Sequence, residues 1–90
     1  MVDGRGGPRD YKAGFGWLER AAKGGNAAAQ NRLAKLYMAG IGTEPDMITA
    51  AAWYFLARRS GLKDAEMEDM LAGLTEAEQK DALERANRLR

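Results

Sequence analysis

The 90-residue sequence contains no cysteine and no histidine, and it has a single serine, Ser60. Without cysteine, the chain can form neither a disulfide nor a thiolate metal site. Without histidine, it also lacks the commonest general base and the commonest metal ligand. Lys63 is too close to Ser60 in sequence for us to assume a Ser–Lys pair. Because a catalytic nucleophile needs a positioned base, the sequence predicts a protein that is not an enzyme, with no metal and no cofactor.

The chain also lacks a long hydrophobic run and a strong excess of one charge. No stretch approaches the length needed to span a bilayer, and residues 1–8 lack the apolar segment of a signal peptide. The net charge is only +1, so no large field favours nucleic acid or a membrane surface. We therefore expect a soluble chain of unknown compartment that binds neither nucleic acid nor membranes.

What the chain does have is an internal repeat of 36 residues. The same offset superposes six pairs of identical residues: Gly4 on Gly40, Gly6 on Gly42, Asp10 on Asp46, Trp17 on Trp53, Ala21 on Ala57 and Gly25 on Gly61. Self-similarity at a fixed period is typical of stacked helical repeats. A length of 90 residues allows one domain at most. We predict a single domain over residues 1–90, with repeat units in residues 4–61.

Caps and apolar spacing predict four helices and one short helical segment. Asp10, Asn26 and Asp46 are the expected N-caps of the first three, because their side chains accept bonds from free backbone N–H groups. The expected spans are residues 11–23, 27–39, 47–59, 64–72 and about 76–89. Thr75 and Glu78 form a capping box before the last helix. Residues 62–90 thus read as a degenerate half-repeat followed by a capping helix, which solenoid ends require.

The pattern resembles the Sel-1-like repeat family, a longer relative of the tetratricopeptide repeat. Two segments carry the resemblance: Trp17-Leu18-(x2)-Ala21-Ala22-(x2)-Gly25 and Ala29-Gln30-(x2)-Leu33-Ala34-(x2)-Tyr37-(x2)-Gly40-(x)-Gly42. The resemblance implies an all-α fold, a short α/α solenoid or superhelix of antiparallel helix hairpins. It also implies a scaffold that binds other proteins.

Recurrence at the repeat offset predicts that Trp17 and Trp53 are both core residues rather than platforms for a ligand. The glycine-rich residues 4–7 match neither phosphate-binding spacing, so no small-molecule substrate is expected. The acidic residues of the fourth segment lack the glycine and the final glutamate of a calcium loop, and they read as a solvated helix face: Asp64, Glu66, Glu68 and Asp69.

The predicted function is a non-enzymatic adaptor that binds a peptide or helix of a partner protein. Ala29, Leu33, Leu36 and Tyr37 are assigned to the core, which leaves Asn31, Lys35 and Met38 on a different face of the second helix. We predict that these three residues contact the partner.

Two alternatives stay open. In the first alternative, residues 62–90 are only the structural cap of a longer solenoid. In the second, two copies associate, because residues 1–61 carry a net charge of +4 and residues 62–90 carry −3.

Overall fold

The computed structural model describes residues 8–89, with side chains described for residues 14–89. This part of the chain contains five α-helices and no strand. The helices are α1 (Pro8–Lys23), α2 (Ala27–Ala39), α3 (Met47–Arg59), α4 (Ala65–Ala72) and α5 (Glu76–Leu89). The predicted all-α class is confirmed.

The predicted bounds of α2 and α3 are confirmed because their caps form as expected. The Asn26 side chain accepts a bond from the Ala29 N–H group, and Gly40 ends α2 in the left-handed conformation at φ 74°. The Asp46 side chain accepts in the same way from Thr49 at the start of α3. The predicted N-cap at Asp10 is wrong, because α1 already begins at Pro8. Proline suits a first helical position, where a missing N–H group costs nothing.

Helices α1 and α2 form an antiparallel hairpin. Near the turn, the Gln30 Nε2 atom donates to the Ala22 carbonyl over 3.0 Å. Farther from the turn, the rings of Phe15 and Tyr37 meet edge to face with centroids 5.3 Å apart. Since one contact lies early in α2 and the other late, the two helices run side by side over most of their length.

Helix α3 is the centre of the structure. Nine consecutive residues, from Thr49 to Ala57, are buried, so this helix has no exposed face over two and a half turns. Its principal neighbours are α2 and α5. Alanines on α3 and the buried Ala82 and Ala86 of α5 allow close approach of the helix axes.

Helix α4 is a shortened counterpart of α2. In each helix the third and seventh residues after the N-cap are buried: Ala29 and Leu33 after Asn26, and Met67 and Leu71 after Asp64. The two caps lie 38 residues apart, so the second unit departs by two residues from the 36-residue offset. Helix α5 follows after the predicted capping box, which is confirmed by reciprocal bonds between Thr75 and Glu78.

The two tryptophans differ, and the prediction that both are core residues is half wrong. Trp53 is 1% exposed, whereas Trp17 is 70% exposed. The repeat places both at the same position of a helix but does not supply the same neighbours. Trp53 lies on α3, which is surrounded, whereas α1 has α2 as its one extensive neighbour in residues 8–89.

We expect Trp53→Ala to lower the free energy of unfolding by about 3–5 kcal/mol, because it empties a large buried site. The matched change Trp17→Ala should alter it by less than about 0.5 kcal/mol, since an exposed side chain contributes little. Urea titrations of both variants test this difference, with Trp53→Phe as the milder change if the alanine variant does not fold. Equal losses for Trp17 and Trp53 would contradict the assignment.

A second matched pair concerns two glycines with positive φ. A Cβ atom on Gly40 would lie 2.6 Å from the Pro45 Cγ atom, whereas a Cβ atom on Gly61 would meet nothing within 4 Å. Both alanine variants pay backbone strain of about 1–2 kcal/mol, and overpacking adds roughly 1–3 kcal/mol at Gly40 alone. Thermal unfolding should therefore show a lower midpoint for Gly40→Ala than for Gly61→Ala, and the reverse order would refute the steric argument.

Candidate protein-binding surface

The three residues predicted to contact a partner all lie on α2, but their side chains have partners within the chain. The Asn31 Nδ2 atom donates to Asp64 Oδ2 over 3.0 Å. The Lys35 Nζ atom lies 2.8 Å from the same carboxylate oxygen and 3.3 Å from Glu66 Oε1. Met38 is half-buried and packs against the core. The structure thus brings Asn31 and Lys35 together at Asp64, and it turns Met38 inward.

Asp64 is the centre of this polar cluster. It is the N-cap of α4, accepting from the backbone N–H groups of Glu66 and Met67. The hydrogen bond from Lys35, followed by that from Asn31, lowers the pKa of Asp64 to about 2. The same bond raises the pKa of Lys35 above its usual 10.5. Asp64 therefore stays charged near neutral pH and ties the start of α4 to α2.

A second cluster joins α3 to α4 beside the first. The Tyr54 hydroxyl donates to Glu68 Oε2 over 2.5 Å and accepts from the Asp64 N–H group over 3.0 Å. The Arg58 Nη1 atom lies 3.2 Å from Glu68 Oε1. The bond from Tyr54 and then that from Arg58 lower the pKa of Glu68. Asp64 and Glu68 thus have specific partners, and the prediction of a merely solvated acidic face does not describe them.

The other distinct surface is the exposed side of α1, which we call the Trp17 face and define as Gly14, Trp17, Arg20 and Ala21. All four residues are exposed, and they share one side of the helix. The Arg20 guanidinium carbon lies 5.5 Å from the centroid of the Trp17 ring, a distance at which a cation interacts with an aromatic face. One large flat side chain thus stands among two small ones, with a positive charge at its edge.

Two shallow depressions share residues with the Trp17 face. One is lined by Gly16, Trp17, Glu19 and Arg20. The other lies over the turn between α1 and α2, and it is lined by Leu18, Ala21, Asn26, Ala28, Ala29 and Arg32. Trp17 and Arg20 line the first depression and Ala21 lines the second, so the face borders concave surface.

The same four repeat positions are fully buried on α3. Thirty-six residues after the Trp17 face come Ala50, Trp53, Leu56 and Ala57, of which none is more than 2% exposed. The residues at these positions are alike in size on both helices, apart from Arg20 in the place of Leu56. A surface that forms a helix interface in one unit is thus exposed in the other.

Sequence reasoning missed this surface because it took recurrence of the tryptophan as evidence of burial. The signal that separates the two units is the exchange of Leu56 for Arg20 beside the tryptophan, since arginine is almost never fully buried without a partner.

The described residues show neither a cluster of metal ligands nor a helix that could span a membrane. Within residues 14–89, the acidic side chains form no group of three or more arranged to hold a metal ion. No helix of this part of the chain is long and apolar enough to cross a membrane.

Comparison with known proteins agrees with the repeat. The profile of the Sel1 repeat matches residues 2–26 and residues 27–62, which together cover more than half of the chain. The resemblance inferred from the residues is thereby confirmed. No curated protein and no solved structure matches the chain.

The low pKa of Asp64 predicts a pH dependence of stability. A carboxyl whose pKa is lowered by folding stabilises the protein above its unfolded pKa, near 4, and this contribution is lost as the pH falls towards 2. We expect Asp64→Asn, which preserves an N-cap side chain, to be less stable than the wild type at pH 7 and nearly equal to it at pH 2. Urea midpoints across this range measure the difference.

Asp69→Asn is the matched control, because it removes a carboxylate from an exposed position of the same helix. The urea midpoint of Asp69→Asn should change with pH in the same way as that of the wild type. A constant difference between Asp64→Asn and the wild type at all pH values would show that the charge of Asp64 contributes nothing.

Proposed function

The chain belongs to the Sel1 repeat family, whose repeats are in general protein-interaction modules, and from this premise we propose that it is a non-enzymatic adaptor. In this proposal it holds a peptide or helix of another protein on its helical surface. The absence of cysteine and histidine supports a non-enzymatic role, because it removes the usual thiol and imidazole chemistry.

The observation that carries the proposal is the Trp17 face. Tryptophan is among the residues most enriched at the energetic centres of protein interfaces, and arginine is another. Here the two lie together on an exposed helix, and the internal repeat uses the same positions for helix packing on α3. A surface built for packing and left exposed supports binding of a partner.

The set Asn31, Lys35 and Met38 is a second proposed contact surface. A partner that bound there would have to share Asp64 with Lys35 and Asn31, since both already bond to it. Lys35 is still 39% exposed, so its ammonium group has room for a further acceptor. Binding at this set would therefore be coupled to the α2–α4 contact.

Two observations favour the alternative functions. Helix α5 buries only Ala82 and Ala86, and it turns charged side chains outward, as expected of a structural cap. The opposite net charges of residues 1–61 and 62–90 favour self-association, which would weaken with added salt.

The decisive experiment is quantitative affinity capture from lysate with the wild-type chain and variants of equal thermal stability. If the chain is an adaptor that uses the Trp17 face, the amount of each specific partner captured by Trp17→Ala should fall about tenfold or more relative to the wild type, as expected for a central interface residue. Leu83→Ala is the matched control, because it truncates an exposed apolar residue on α5 instead. Capture of no specific protein by any variant would support the structural cap.

A further arm separates the second surface. The double variant Asn31→Ala, Lys35→Gln changes α2, whereas Asp64→Asn disturbs the same intramolecular bonds from the other side. A partner lost with the α2 variant alone would indicate direct contact with α2. Loss with both would indicate that the polar cluster acts through the shape of the fold.

A further inference from the structure

We propose that helix α4 opens as a unit while α3 and α5, which flank it in the chain, stay packed, and that this opening uncovers Asn31 and Lys35 of α2. The opening goes beyond the proposed function, because it is a property of the folded chain alone. Only its consequence touches that function, since Asn31 and Lys35 belong to the second proposed contact surface.

Helix α4 has a small part in the packing of the helices. It has eight residues, of which Met67 and Leu71 are buried, whereas α3 buries nine. A helix of this length is not stable in water by itself, so α4 depends on its contacts. Helix α3 packs extensively against α2 and α5 but only slightly against α4. Opening of α4 therefore leaves the principal helix contacts of the fold in place.

The polar attachment of α4 is already partly in water. Asp64 pairs with Lys35 over 2.8 Å, and Glu68 pairs with Arg58 over 3.2 Å. The side chains of Lys35 and Arg58 are 39% and 40% exposed. Partly exposed ion pairs contribute little free energy each, because water solvates the separated charges well. The two pairs thus hold α4 in place without making its opening as costly as that of a buried helix.

The end of α4 is joined to α5, but α5 does not depend on that link. The Gln79 Nε2 atom donates to the carbonyl oxygens of Leu71 and Leu74 over 2.9 and 3.4 Å. Elsewhere on α5, the Arg85 Nη1 atom donates to Thr49 Oγ1 of α3 over 2.9 Å. Since the second contact and the extensive packing of α5 on α3 do not involve α4, α5 keeps its position when α4 opens.

The chain can open at α4 without pulling on either neighbour. Leu62 and Leu74, on the two sides of α4, are half-buried and pack against the core. Between them lie residues 63–73. A residue advances the chain by about 1.5 Å in a helix and by up to about 3.3 Å when extended. The opened segment therefore spans the same gap with length to spare, and both leucines stay in place.

The opening changes what Asn31 and Lys35 can bind. In the closed form both side chains bond to the same oxygen of Asp64. When α4 opens, this carboxylate leaves, and the amide and the ammonium group become free for an acidic group of another molecule. Helix α4 is thus a cover whose opening controls access to the second proposed contact surface.

Native-state hydrogen exchange of the full chain, followed in nitrogen-15 correlation spectra, tests the opening. The amides of residues 68–72 should have protection factors at least about tenfold lower than the best-protected amides of α3 and of α5, because a local opening has a lower free energy than global unfolding. Equal protection of α4 and α5 would overturn the inference, since the two helices would then open together.

Two variants of equal charge test the attachment. Asp64→Asn should speed exchange of the α4 amides about threefold, because it removes the ion pair with Lys35. Asp69→Asn is the matched control at an exposed position of the same helix, and it should leave their exchange unchanged. Equal effects of the two variants would contradict the role of Asp64 in holding α4 closed.

Glu84→Gly tests whether α5 stays folded in the open form. Glu84 is exposed on α5, and glycine there should speed exchange of the α5 amides and of the slowest α3 amides about threefold through its low helix propensity. Exchange of the α4 amides should not change, because α5 is helical both before and after α4 opens. An equal acceleration in α4 would refute local opening. These measurements use the chain alone, so their outcome is independent of the adaptor function.

Discussion

Burial of α3 on all sides is the constraint on which the rest of the structure depends. Helices α2 and α5 make their most extensive contacts with α3, and α4 reaches the core through Met67 and Leu71. In a chain of this size a single core supplies most of the stability. The run of alanines in α3 lets its neighbours approach closely enough to bury Trp53 and Tyr54 completely.

The capping residues connect this packing to the polar contacts between helices. Asp46 caps α3, and its Oδ2 atom also lies 3.5 Å from the Nη1 atom of Arg85 on α5. Asp64 caps α4 and also binds Lys35 of α2. Partly exposed ion pairs of this kind contribute little free energy each. Each capping residue, however, lies at a fixed point of its own helix. Its ion pair with a residue of a neighbouring helix therefore fixes the position of that neighbour along the axis of the capped helix.

The features of the fold that could be predicted from the sequence are those set by interactions between residues close together in the chain. The bounds of α2 and α3 followed from local signals, since Asn26, Asp46 and Gly40 act within one turn of themselves. The bond between Asn31 and Asp64 joins residues 33 positions apart, and only the fold brings them together. The binding prediction for Asn31, Lys35 and Met38 rested on the spacing of α2 alone, which could not reveal that Asp64 already occupies two of the three.

The repeat itself explains both the success and the error with the tryptophans. A repeat fixes the position of a residue on its helix, and this is why Trp17 and Trp53 occupy the same face of α1 and α3. It does not fix the environment, because a unit is covered only where another unit or a partner lies beside it. Arg20 in the place of Leu56 makes the exposed copy of the face compatible with water, since its guanidinium stays solvated while it lies over the ring.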